Sequence, residues 1–440
     1  MISLEGLTGR VVTMDTPGYE EARQNYNGRF DKYPLVIVFC ESARDVANAI
    51  LWVRKQQLPF RIRCGRHSYE AYSLVDGGLV IDVSRLQKLI FDKPKGTVQI
   101  GVGFRLQPLY ETLWNQGVTI PIGTCPTVGI SGLTLGGGYG LLSRQLGMSC
   151  DSLLEVEMVT ARGELIRANH WRHPDLFWAC LGGGDGSFGV ITSLTFRVYP
   201  IGNVARYMMS WDFADLKKVV RYWQQWAPHA DSRLTSLLLL PARNQGDIRS
   251  NGVFVGSEEE LRQIMLPMQE ATRPQIIEFQ TNSWMEAARL FAGRPVRQAL
   301  FKNSSAFAYE PLSESALDVL IHNLQTAPGF SNMVAFDAFG GWIGQVPDNA
   351  TAFVHRNALF LIQYQSYWQQ AEEAAGNIQW IEQFRRSMLP YTRGAYRCYC
   401  DSLISDWPEA YFGENLERLR MVKRAYDPEN LFYFEQSIPL

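Results

Sequence analysis

The run Gly123-Thr-Cys125-Pro-Thr-Val-Gly129-Ile-Ser-Gly132-Leu-Thr-Leu-Gly136-Gly-Gly138-Tyr-Gly140 constrains the chain more than any other segment. Glycine at so many positions removes Cβ atoms, lets the backbone approach a ligand closely, and exposes N–H groups able to cradle phosphates. The run is not a Walker A loop, because no Gly-Lys-Ser/Thr follows, and it is not a clean dinucleotide fingerprint behind a strand. Taken alone it reads equally well as a set of tight turns.

Hydrophobic patterning around this run alternates strands and helices. Residues 34–40, Pro-Leu-Val-Ile-Val-Phe-Cys, predict a buried strand. Ser42 is an N-cap for a helix over 43–56 with Val46, Ile50 and Val53 on one side, and Pro59 breaks that helix. Strands are predicted at 60–63, 79–83 and 98–102, a helix at 106–115, a hairpin at 153–168 turning at Gly163, and a strand at 189–198. This is an α/β rhythm, and a domain boundary falls near Pro200. Beyond it, strands at 208–213, 237–240, 252–255, 334–339 and 358–364 are separated by amphipathic helices at 215–226, 258–266 and 313–324. That pattern predicts one antiparallel sheet covered by helices, and a last helix is predicted at 414–426. The fold class expected is α+β in two parts.

Composition narrows the function. In 440 residues, 42 Lys and Arg balance 44 Asp and Glu, which argues against a nucleic-acid binder. Hydrophobic residues at 46% and charged residues at 20% support a large core. No segment approaches the roughly 20 apolar residues of a membrane helix. Met1 to Gly28 shows no secretory pattern, so a cytoplasmic address is expected. Seven cysteines at irregular spacing do not read as a disulfide framework. Aromatic residues at 12% hint at stacking on a flat ligand or sugar. His170 and His173 lack a partner to complete a metal site and read as solvated loop residues, and no metal is expected.

A second segment, Arg61-Ile-Arg63-Cys64-Gly65-Arg66-His67-Ser68-Tyr-Glu-Ala-Tyr-Ser73, changes the weight of the glycine run. Together the two resemble the vanillyl-alcohol oxidase superfamily, specifically its berberine-bridge-enzyme-like branch. Asp175 to Thr192 resembles that family's second glycine-rich FAD segment, and Tyr426 to Pro439 its C-terminal signature. The resemblance implies FAD attached at two points, through His67 to the flavin C8 methyl and through Cys125 to flavin C6. It implies a cofactor wall of Cys64, Gly65, Arg66 and Ser68, facing Thr124, Val128, Gly129 and Gly132. Adenine-side contacts are implied at Gly186, Gly189, Val190 and Ile191, with Asn430 from the C-terminal signature. It also implies FAD-binding parts at 1–200 and 401–440 and a substrate part at 201–400, with the flavin between.

The segment Gly394-Ala-Tyr396-Arg-Cys398-Tyr399-Cys-Asp401 resembles the family's Tyr-x-Asn-Tyr motif, whose second tyrosine is the base near flavin N5. Tyr399 takes that role by resemblance, and positive charge is expected nearby to lower its pKa. Asp337 is the candidate acid assisting it; Phe339, two residues on, shares its face or the pair faces the core. Val128 stands at the family's oxygen gate, as in members that use O2. Three departures stand out. Arg66 replaces a glycine and is expected to alter the loop, since arginine takes positive φ only at a cost. Ser131-Gly132-Leu133 replaces a Gly-Gly-His, and Cys398 and Cys400 replace asparagine and proline. In a strand those two cysteines share a face. His355 is expected to be structural. The expected function is oxidation of an alcohol carbon, of a sugar or oligosaccharide, with hydride passing to N5 and O2 giving hydrogen peroxide. A secondary-metabolite alcohol oxidase or ring-closing oxidase is the alternative within enzymology. A structural or assembly protein retaining the fold is the alternative outside it.

Overall fold

Ser42 opens the first long helix as expected. Its hydroxyl accepts from Asp45 N while the Asp45 carboxylate accepts from Ser42 N, a reciprocal cap that starts helix Ala43–Gln56. In this computed structural model, which describes residues 2–440 apart from 185, 294–296 and 330, the helix buries Val46, Ala49, Ile50 and Val53. They share a core with strands Val36–Phe39, Leu79–Asp82 and Phe60–Arg63, which run parallel, while Arg10–Thr13 adds an antiparallel edge. The central pair is buried along its whole length, which its unbroken apolar sequences reflect.

A second sheet is antiparallel throughout, in the order Leu89–Asp92, Thr97–Gly101, Val190–Arg197, Leu153–Val159 and Leu165–Asn169. Its last two strands are the predicted hairpin, and Gly163 supplies the turn at φ +76°.

The second half forms seven antiparallel strands in the order Ile276–Ser283, Asn203–Trp211, Ile248–Phe254, Leu234–Pro241, Ser331–Ala338, Phe360–Trp368 and Leu300–Ala308. One face buries Tyr207, Leu238, Phe336 and Ile362 with helices Leu216–Trp226, Glu314–Gln325 and Ala374–Met388. Side chains alternate along a strand, so Leu237, Asp337 and Tyr367 leave the opposite face, where they line a cleft. The sheet is wider than the sequence pattern predicts. Strand Leu300–Ala308 carries Lys302, Asn303, Ser304 and Ser305, all buried, so no apolar alternation marks it. Helix Glu258–Thr272 continues through Pro267, and strand Asn203–Trp211 starts and stops earlier than expected.

The chain then returns to its beginning. Leu419, Val422, Phe432 and Ile438 join the core of Val36, Ile81 and Val98. Lys423, on helix Leu416–Tyr426, is fully enclosed and donates to Asp427, to Ser187 O and to Phe432 O, all within 2.8 Å. Among the described residues no helix is long and apolar enough to cross a membrane.

Two backbone segments meet without side chains between them. A Cβ added at Gly65 would lie 2.2 Å from Gly129 N, and one at Gly129 would lie 2.5 Å from Cys64 Sγ. Gly65→Ala is therefore expected to abolish recovery of soluble protein, read by expression yield. Lys423→Met leaves Asp427 buried without its ion pair and is expected to destabilise the fold by roughly 3–5 kcal/mol, read as a lowered melting temperature; an unchanged melt would show that the lysine is dispensable.

Candidate active site

The cleft between the seven-stranded sheet and the first half has a volume of about 390 Å³. Its wall contains Cys64, Gly65, Arg66, His67 and Ser68 from one loop and Thr124, Cys125, Val128, Gly129 and Gly132 from the glycine run. Gly186, Gly189 and Ile191 line it from the second glycine segment, Asp337 from the seven-stranded sheet and Tyr399 from the segment near the C-terminal helices. Val190 and Asn430 are not on the wall. Val190 is a fully buried strand residue paired with Val159, and Asn430 takes φ +52° in the turn after the last helix.

Strand Phe60–Arg63 delivers the first loop. Arg63 is buried against Asp82 at 2.7 Å, which fixes the strand end, and Cys64 Sγ donates to Val102 O at 3.1 Å. Arg66 takes φ +66°, so the left-handed conformation expected to be unfavourable for arginine is adopted after all. Tyr26 N donates to Arg66 O, and Arg66 Nη1 donates to Glu21 O, both at 2.9 Å, and these contacts hold the strained residue. Burial, with repulsion from Arg63, lowers its pKa to about 10.

His67 is clamped on two sides. Its ring stacks on Tyr26 with centroids 4.1 Å apart, and Nε2 lies 2.8 Å from Thr127 Oγ1. Burial first, then Arg105, push its pKa down to about 4, so the imidazole is neutral and nucleophilic at ordinary pH. Cys125 is exposed to the cleft, yet the cleft encloses it, and that desolvation raises the thiol pKa against a lowering hydrogen bond from Thr124. The cysteine segment is anchored by Leu106 N to Val128 O at 3.0 Å and Gln107 N to Pro126 O at 3.1 Å.

Tyr399 ends a 3-10 turn, Arg397–Tyr399, not a strand, so the face-sharing argument for Cys398 and Cys400 does not apply. Both cysteines nevertheless line the cleft. The Tyr399 ring lies parallel to Tyr69 at 5.7 Å and edge-on to Tyr396 at 4.9 Å. Tyr396 itself is structural, its hydroxyl accepting from Gly138 N and Tyr139 N at 3.0 and 3.2 Å. The expected positive charge beside Tyr399 is not what governs it. Burial, then Asp337, Tyr69, Tyr396 and Cys125, all raise its pKa well above the ordinary tyrosine value. Burial likewise pushes Asp337 up to about 7. Phe339 parts from Asp337, being fully buried and stacked on Tyr139 at 5.3 Å.

The sequence reading missed the aromatic wall. Tyr69 stands two residues after His67, and Phe432, Tyr433 and Phe434 line the cleft from the C-terminal signature, where Asn430 had been expected. The excess of aromatic residues was the available signal. Two other histidines pack elsewhere: His173 Nδ1 pairs with Tyr426 OH and His355 Nδ1 with Tyr309 OH, each at 2.8 Å.

The cleft fits FAD. A Cβ at Gly132 would meet no heavy atom within 4 Å, and one at Gly186 would meet Ile62 alone at 3.4 Å, so both glycines leave open the space a ligand needs. A neutral imidazole and a thiol stand on facing segments beside the aromatic wall.

Known proteins agree with this geometry. A family model described as FAD binding domain matches residues 34–169, and one described as Berberine and berberine like matches 395–439. The uncharacterized FAD-linked oxidoreductase YgaK of Bacillus subtilis is 43% identical over 438 residues, covering 98% of this chain and 97% of the relative. The solved structure of Physcomitrella patens BBE-like 1 superposes with a TM-score of 0.92 at 32% identity, covering 98% of this chain and 97% of that one. Chitooligosaccharide oxidase superposes with a TM-score of 0.91 at 26% identity over the same shares. With a cleft built for a flavin and relatives aligned from end to end, the chain belongs to the berberine-bridge-enzyme-like branch of the vanillyl-alcohol oxidase superfamily and is an FAD-dependent oxidoreductase.

Proposed function

We propose that the protein carries FAD bound covalently to both His67 and Cys125, oxidises an alcohol carbon of a sugar or oligosaccharide, and passes the electrons to O2 as hydrogen peroxide. On this reading residues 1–200 and 401–440 hold the cofactor and 201–400 hold the substrate. The observation that carries it is the convergence of His67, Cys125, Tyr399 and Asp337 in one cleft. The likeness to chitooligosaccharide oxidase favours the sugar over a secondary-metabolite alcohol.

Bound FAD supplies the two-electron acceptor for hydride. The chain's own groups handle the protons and the charge. Tyr399 enters neutral, since burial and Asp337 both oppose its phenolate. It therefore works as a relay: its oxygen accepts the substrate hydroxyl proton as its own proton passes to Asp337. The Asp337 carboxyl titrates at about 7, so it is a competent acceptor only above that pH. Arg66, a half-buried cation near Arg63 and Arg105, would hold the pyrophosphate together with backbone N–H groups of 64–68 and of 124–132 other than Pro126. On this reading Val128, which lines the cleft near Cys125, would be the small residue that admits O2. Tyr69 and Tyr367 present ring surface to a sugar.

Intact mass of the denatured protein tests the attachment: the chain plus one FAD is expected, and a bare-chain mass with no FAD released would overturn the reading. A peroxide-coupled assay over glucose, cellobiose, xylobiose, diacetylchitobiose and coniferyl alcohol then tests the substrate class, with the sugars expected to respond. Tyr399→Phe should slow anaerobic flavin bleaching by about 100-fold or more; full activity would reassign the base. The rate should rise with pH through about 7 and lose that limb in Asp337→Asn, because the carboxylate form is the active one.

A further inference from the structure

The loop bearing His67 contains two left-handed residues, Arg66 at φ +66° and Ala71 at φ +52°. Such backbone persists only when its surroundings hold it. Neutral contacts do part of this: Asn25 Nδ2 donates to Ser68 O at 3.1 Å and Asn27 Nδ2 to Tyr69 O at 2.8 Å. The rest is ionic and comes from outside the loop. Glu70, nearly fully buried, accepts from Lys302 Nζ, from Arg29 Nη2 at 2.8 Å and from Ser402 Oγ at 3.0 Å. The same ammonium group donates to Asp401, which also accepts from Ser304 Oγ and from Leu403 N at 2.9 Å. Lys302 has no exposed side-chain surface, and each carboxylate retains 3%. Two cations thus meet two anions inside the protein, with no net formal charge.

The placement of the two carboxylates is informative. Glu70 lies three residues after His67 and one after Tyr69; Asp401 lies two after Tyr399. One ammonium group on the substrate sheet therefore pins the His67 loop and the Tyr399 segment to a common point, beside the parallel Tyr69–Tyr399 pair. A buried ion cluster adds little stability over apolar packing of equal volume. What it adds here is registry between three segments far apart in sequence.

We propose that Lys302 is a positioning residue for flavin attachment at His67, acting through Glu70 and Asp401. The inference rests on His67 being an attachment point. Attachment forms a bond between an imidazole nitrogen and the ring methyl carbon. It breaks one N–H and one C–H bond and places two electrons and two protons on the flavin, which O2 removes as hydrogen peroxide. The chain must hold the imidazole against that methyl carbon throughout, and misplacement by about 1 Å in such a reaction costs about 100-fold in rate. Cys125 is held differently, through the backbone bonds of Leu106 and Gln107 and the bridge between Arg105 and Gly129. The clamp should therefore matter to one link and not to the other.

The test places Lys302→Met in two backgrounds of the full chain: Cys125→Ala, where His67 is the remaining link, and His67→Ala, where Cys125 is. Intact mass after denaturation reads the fraction carrying FAD in each. The expected result is a fall of about ten-fold or more in the Cys125→Ala background, with FAD retained in the His67→Ala background. Glu70→Gln, which keeps the side-chain shape, should repeat the selective loss and replaces Lys302→Met if that variant does not fold. Equal loss in both backgrounds would make Lys302 a general folding residue and overturn the proposal, as would no loss in either. A bare-chain mass for Cys125→Ala alone would overturn attachment at His67 itself, and the role of Lys302 with it.

Discussion

Backbone packed on backbone at Gly65 and Gly129 is the contact on which the rest of the site depends. The first residue leaves the end of a parallel strand, and the second opens helix Ile130–Leu135. Any side chain at either place would force the two segments apart. Their approach brings the His67 imidazole and the Cys125 thiol, 58 positions apart in sequence, into one cleft. The proposed double attachment therefore rests first on the absence of two Cβ atoms.

Around that contact the molecule uses buried cations as registration points. Arg144 is enclosed by protein and donates to the carbonyls of Leu234, Pro228 and Ala230. Arg356 pairs with Asp151 at 2.7 Å and Thr351 at 2.6 Å. Lys423 ties the second glycine segment to the C-terminal tail. Each joins elements that hydrophobic packing brings together without fixing their register. Apolar contact is non-directional, whereas an ammonium or guanidinium group in a dry interior needs its acceptors at set distances. The cleft is an interface between a sheet and two glycine segments, and such interfaces need directional ties.

Much of the fold was legible because local signals agreed with each other. Ser42 marked one helix start, and Gly163 marked a hairpin turn. Alternation located most of the large sheet. Strand Leu300–Ala308 was not legible, because Lys302, Asn303, Ser304 and Ser305 read as a solvated stretch until their partners are known. Lys302 and Ser304 find theirs at Glu70 and Asp401, Asn303 at Tyr367 and Ser305 at Tyr396, too far along the chain for any local pattern to reveal. The site divides in the same way. His67, Cys125 and Tyr399 sit in motifs, and all three line the cleft. The electrostatic setting of Tyr399 was read with the wrong sign, because the carboxylate of Asp337 and the depth of burial are properties of packing. Arg66 was legible as a departure, yet its left-handed backbone shows that neighbours override the preference of a single residue.

The return of the C-terminal helix to the first core has a consequence for biosynthesis. Leu419, Val422, Phe432 and Ile438 complete a core that otherwise belongs to the first half, and Phe432 to Phe434 close one side of the cleft. A ribosome-bound chain that has emerged as far as the glycine segments holds His67 and Cys125 but lacks that closure. Its core then lacks the apolar side chains of Leu419, Val422, Phe432 and Ile438. Assembly of the cleft must therefore wait for residues 419–438 to be translated, and a product terminated before them is left without a complete cleft.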